Sequence, residues 1–161
     1  MAVTAQESTQ YANIYSTKPP VLQAADQYYG KMRVLAFDHT QSGAGDATST
    51  AKLVKIYPGQ CSVLLALSRF ASSALGTART MDTGWAAYVD QDGAAVAADP
   101  NGLDDGVDVS SAVAFSPIGT IGGAEVKRFQ SRDGVDLEAQ VNDGTWPDAA
   151  TLNGYLIVAV E

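Results

Sequence analysis

One cysteine and one histidine are all the sequence offers in 161 residues, and no apolar run reaches the length of a membrane helix. Each shortage excludes something. A single Cys61 cannot form an intrachain disulfide, and inside the apolar run CSVLLAL it reads as a small buried hydrophobe with no base beside it to make a nucleophile. A structural zinc site would need several carboxylates beside that one cysteine and His39, the only histidine. His39 itself, between Asp38 and the polar stretch TQSGAGDATST, reads as a solvated residue at a loop edge. A spanning helix takes about 18 apolar residues, which no segment supplies. The start MAVTAQESTQYANIYSTKPP lacks the basic and apolar parts of a signal peptide, so the expectation is a soluble chain, not secreted and without a membrane partner.

Charge is also scarce, at 17% of residues against 46% hydrophobic, which suggests that part of the surface is covered by a partner. Lys and Arg are missing altogether between residues 80 and 126, where eight acids lie: Asp82, Asp90, Asp92, Asp99, Asp104, Asp105, Asp108 and Glu125. The rest of the chain holds ten acids and ten bases, so this middle third accounts for the whole net charge of −8. Phosphate binding needs clustered bases, and Lys127, Arg128 and Arg132 form only a small solvated group, so nucleic acid is not an expected partner.

No catalytic set stands out. There is no nucleophile beside a base, no metal cluster and no phosphate loop, and the glycines of Ile118-Gly119-Thr120-Ile121-Gly122-Gly123 do not form GxGxxG. Residues 99–108, DPNGLDDGVD, place oxygen ligands close together as Ca²⁺ prefers, but the EF-hand register puts Leu103 and Asp104 where an acid and the glycine belong. They read as Asx turns on a solvated surface. The expectation is a non-enzyme with no catalytic residue, cofactor or metal.

What the chain does have is short apolar or alternating runs separated by Gly, Asp, Asn, Ser and Pro clusters. Strands are predicted near 31–37, 50–57, 61–70, 81–89, 111–115, 124–129, 135–141 and 155–160. Tyr57-Pro58-Gly59-Gln60, Asp92-Gly93, Asp105-Gly106, Asp133-Gly134 and Asn153-Gly154 are predicted turns. Helical periodicity is confined to a short helix in 5–15 and one turn at 148–153. Eight short strands predict an all-β, single-domain antiparallel β-sandwich, jelly-roll-like, over 31–161. Residues 1–30 differ: they hold four of the seven tyrosines and the stiff Pro19-Pro20 pair, and read as an extended N-terminal arm. Tyr11, Ile14 and Tyr15 are its candidate partner-binding residues, because aromatic anchors give large contact area at small entropy cost. Trp85, Trp146 and Tyr88 could present an aromatic platform for a sugar, as in a carbohydrate-binding module, but Trp85 in an alternating strand and Trp146 before Pro147 read rather as core and loop anchors.

Several segments taken in order resemble virion proteins of tailed bacteriophages that accompany the major capsid protein. They are the strand Lys31-Met32-Arg33-Val34-Leu35-Ala36-Phe37, the loop Asp46-Ala47-Thr48-Ser49-Thr50, the run from Ala51 to Gln60 leading into the apolar strand at Cys61, and Leu75-Gly76-Thr77-Ala78-Arg79-Thr80-Met81-Asp82-Thr83-Gly84-Trp85 ahead of the acidic stretch. The resemblance implies a capsid decoration or cement protein, made in the bacterial host cytoplasm and placed on the head surface. Such a protein bridges major capsid protein subunits and self-associates as a homodimer or homotrimer. A head-tail adaptor, head fibre or minor tail protein is the other virion role it implies.

Overall fold

The computed structural model of the chain describes residues 5–8, 11–18, 32–119 and 126–160. The strands are β1 (Ala5–Glu7), β2 (Met32–Thr40), β3 (Thr50–Ile56), β4 (Gly59–Leu64), β5 (Arg69–Ser72), β6 (Thr80–Trp85), β7 (Tyr88–Val89), β8 (Ala95–Val96), β9 (Asp99–Asp108), β10 (Val113–Pro117), β11 (Val126–Ser131), β12 (Val135–Asn142) and β13 (Thr151–Val160). Alternation decides what they bury. In β12, Val135, Leu137, Ala139 and Val141 point inward while Asp136, Glu138, Gln140 and Asn142 point outward.

Two sheets enclose the core. The first, sheet A, runs β1-β3-β12-β6-β9. In the second, sheet B, one edge of β13 carries β2 and the other is shared by β4 and β5, which pair onward with β11 and β10. Eight principal strands, β2, β3, β4, β6, β9, β11, β12 and β13, follow the order first-eighth-third-sixth in sheet B and second-seventh-fourth-fifth in sheet A. Every neighbouring pair of the eight is antiparallel. That winding is a jelly roll, as the strand spacing predicts. Among the described residues, β1 on β3 is the one parallel pairing.

At two of the places where pairing departs from regular, a serine makes the repair. Along β13, the register moves from Tyr155–Arg69 to Val158–Val63, so residues 64–68 bulge out as a 3-10 turn at Leu65–Leu67. Ser68, fully buried beneath the bulge, accepts from Ile157 N–H at 3.1 Å and donates to the Leu64 carbonyl at 2.8 Å, satisfying groups the ladder abandons. In β3, Val54 faces Leu137 while Lys52 faces Glu138, leaving Leu53 with no partner on β12. The Ser8 hydroxyl donates to the Leu53 carbonyl, and Ser8 N–H to that of Lys52 at 2.7 Å.

Four expectations are corrected. Residues 99–108 form not a surface loop but the edge strand β9, its Pro, Gly and Asp content being what blunts an exposed edge. Asn153-Gly154 lies mid-strand in β13, where a Cβ on Gly154 would stand 2.3 Å from the Arg69 carbonyl oxygen and 2.8 Å from the Phe37 ring; close packing, not a turn, selects glycine. The helix expected in 5–15 is replaced by strand β1 and a π turn at Ala12–Ser16. The helical turn expected at 148–153 is a short turn that gives way to strand at Thr151.

Gly102 tests the packing of the β9 edge: a Cβ there would fall 2.2 Å from the Trp85 ring. Gly102→Ala is expected to destabilise the fold by about 1–3 kcal/mol, the ordinary cost of overpacking, as read by urea denaturation.

Candidate functional site

The outer face of sheet A is polar and partly clasped by the chain's own N-terminal residues. The π turn lays Tyr11 against β12, where its hydroxyl donates to Asp136 Oδ2 at 3.1 Å. Lys52 Nζ donates to the same oxygen at 3.0 Å and lies 5.4 Å from the Tyr11 ring centre, while Lys55 Nζ sits 3.8 Å from Asp136 Oδ1 and 5.4 Å from the Tyr15 ring. Burial opposes charge on Lys52, but the hydrogen bond and charge of Asp136 outweigh it and hold the ammonium above its ordinary pKa. Burial raises the Tyr11 phenol, reinforced by Asp136 and countered by Lys52. Glu138, beside them on β12, is also raised, first by burial; the Lys52 charge lowers it and that of Asp136 adds to the rise.

Of the predicted partner-binding residues, Tyr11 is therefore buried and Tyr15 exposed, their rings 5.1 Å apart. Ile14 falls within the π turn, and its side chain lies outside the described residues.

Other candidates prove structural. Cys61 is buried. His39 is buried too, against the solvated position its polar neighbours suggest: it closes the inward face of β2 with its ring edge-on to Trp146 at 5.5 Å. Trp146 is buried, and Trp85 is wedged between Gly102 and the Phe129 ring with Lys127 Nζ 4.1 Å above its face. Neither indole presents a platform to a sugar. Within the acidic third, Asp82 accepts from Gly106 N–H at 2.8 Å and Asn142 Nδ2 at 2.6 Å, and buried Asp104 accepts from Gly119 N–H at 3.3 Å. Asp108 does form the expected surface turn, the Ser110 hydroxyl and amide holding it below the ordinary aspartate pKa. Among the described residues no group of three or more His, Cys, Asp or Glu is placed to hold a metal.

The outer face of sheet B has a different character. Val34 pairs with Ile157, Val126 pairs with Leu64, and Ile157 and Leu64 each lie one step from the Val158–Val63 pair. These four side chains make an uncharged apolar row across β2, β13, β4 and β11. Val34 and Val126 are 45% and 43% exposed; Met32 beside the row and Leu67 on the bulge reach 60% and 53%. Patterning within any one strand does not reveal this row, because it is assembled from four separate segments. The strands of sheet A carry eight acids and two bases, six net negative, while those of sheet B carry Arg33, Arg69, Lys127 and Arg128 against Asp38 alone, three net positive. The sandwich is thus electrically polarised, with its apolar face on the positive side.

Two outcomes follow for the sheet A cluster. Tyr11→Phe should cost about 0.5–1.5 kcal/mol in denaturant, the usual worth of one hydrogen bond. A carboxyl whose pKa is raised in the folded state favours folding below its unfolded value and loses that contribution as pH climbs through the raised one. Glu138→Gln should therefore be more stable than the parent at pH 7, with the difference shrinking as pH falls towards the ordinary glutamate value of 4.5.

No protein-family model matches the sequence, and no curated protein matches it either. Solved structures do match. A chain from the capsid of Ralstonia phage GP4 superposes with a TM-score of 0.61 at 19% identity, over 98% of this chain and 99% of that one. A chain from the cyanophage Pam1 capsid asymmetric unit gives 0.51 at 11% identity, over 88% and 93%. At these identities the likeness establishes a common fold, spanning nearly the whole of each chain.

Proposed function

We propose that this protein is a structural component of a phage virion, decorating the outer surface of the head and bridging major capsid protein subunits. The observation that carries the reading is the end-to-end correspondence of fold with a chain from a phage capsid, 98% of one covering 99% of the other. A fold by itself does not specify function. The apolar row on sheet B adds a surface suited to a protein partner, since exposed apolar patches mark such contacts. The order of the segments beginning at Lys31, Asp46, Ala51 and Leu75 supports decoration in particular.

Decoration stabilises a shell by mass action, because a ligand that binds only the assembled state shifts its unfolding equilibrium. Purified protein added to undecorated shells should raise their melting temperature in a saturable way, with about 2.7 kcal/mol of linkage per site at a free concentration 100 times Kd. Quantitative mass spectrometry of purified virions should find it at high copy, in fixed ratio to the shell protein. A copy number that fits only a single ring at one vertex would assign it to an adaptor instead.

A further inference from the structure

We infer that the outer face of sheet B is the surface that docks on the shell, that its partner there is an apolar protein surface rimmed with carboxylates, and that sheet A faces away. This rests on the decoration reading and adds the face and the chemistry of its partner.

Charge separates the two faces. The sheet A strands are six net negative, so that face would be repelled by a carboxylate-bearing partner, and its outward positions on β3 and β12 are polar. Sheet B offers the Val34–Ile157–Leu64–Val126 row, with Arg69 and Arg128 projecting from the same outer face by alternation from the buried Phe70 and Phe129. Apolar contact there supplies affinity, and the arginines supply steering and orientation. A second copy fits this face poorly. Two-fold packing of sheet B on sheet B would bring the outward Arg69 and Arg128 of each copy together, with only Asp38 among the described residues of that face to pair them.

The edge strand β10 adds an independent observation. Phe115 has φ 41°, in the left-handed region that a bulky residue avoids, and its ring is 60% exposed. The register of β10 on β5 breaks between Val113 and Ser116, on either side of it. Folding gains little from an aromatic ring held in solvent on strained backbone, and strain of this kind is retained where it presents a side chain to a partner. Phe115 is thus an aromatic anchor at the β10 end of sheet B.

The test uses the full chain and undecorated shells, with cosedimentation for affinity and stopped-flow for association. Val34→Asp and Val126→Asp, both at exposed positions, should keep their circular dichroism and melting temperature yet bind at least tenfold more weakly. Phe115→Gly should equal or exceed the parent in stability, because glycine takes the positive φ without strain, while also binding more weakly. A purely structural role for Phe115 predicts the reverse in stability. Arg128→Gln should slow association at low salt and flatten its salt dependence. Asp105→Asn/Asp108→Asn on β9 should bind as the parent does. If the parent fails to bind shells, the decoration reading falls and this inference with it. If the parent binds, but the sheet B variants bind equally well or the β9 variant is the one impaired, the inference alone is overturned. Sedimentation that shows Val34→Asp dissolving an oligomer while shell binding stays intact would assign the face to a second copy and also overturn it.

Discussion

Everything in sheet B depends on β13, the last of the described strands, because both of its edges carry hydrogen-bonded partners. One edge pairs with β2 from Thr151–Thr40 to Ala159–Met32; the other pairs with β5 and then β4. Without it, the facing N–H and C=O groups of three strands would need water in the interior, at a cost comparable to losing each hydrogen bond. The jelly-roll winding follows from the same pairing, since the final segment has to enter between the first and third principal strands. Those contacts are distant in sequence, so loop-closure entropy is spent before they form, the condition under which β proteins fold slowly.

The two edges of sheet A are finished differently. At β3, the short parallel β1 and the π turn cover the outermost strand and tie down through Ser8 and Tyr11. At the other side β9 is the edge among the described residues, with Pro100, two register shifts and an inward Asp104 that discourage another strand from adding to it. Asp82 and Asp104 accept the backbone N–H groups of Gly106 and Gly119, so part of the acidic excess serves the fold and part keeps that surface hydrophilic.

A sandwich with both outer faces polar would be an ordinary soluble domain. This one keeps an uncharged row on one face, places the excess acid in the other sheet, and holds an aromatic ring out on strained backbone at the rim. Those features cost solubility and backbone energy, and they make physical sense if the two faces meet different surroundings, one a protein surface and one water.

Strands whose alternation was unbroken were legible from the sequence: Val135 to Val141 announces an amphipathic strand, and the apolar setting of Cys61 announces burial. So was the sandwich class, because strand and turn signals recur at short intervals. The segment 99–108 was not legible, since Pro, Asn, Gly and Asp favour turns locally and only pairing with β6 holds them extended. His39 misled for a related reason: its neighbours are polar, but β2 continues past Phe37 and alternation carries the ring inward onto Trp146, 107 positions later in the chain. The apolar row on sheet B was the least visible of all. Local pattern reports which side chains share a face of one strand, whereas the row from Val34 to Val126 exists only because residues 34, 64, 126 and 157 are brought into register. Composition and periodicity determined that this chain is a β-sandwich with a displaced charge; which face carries the charge and which the apolar row was decided by long-range strand pairing, because a face is a property of neighbours in space.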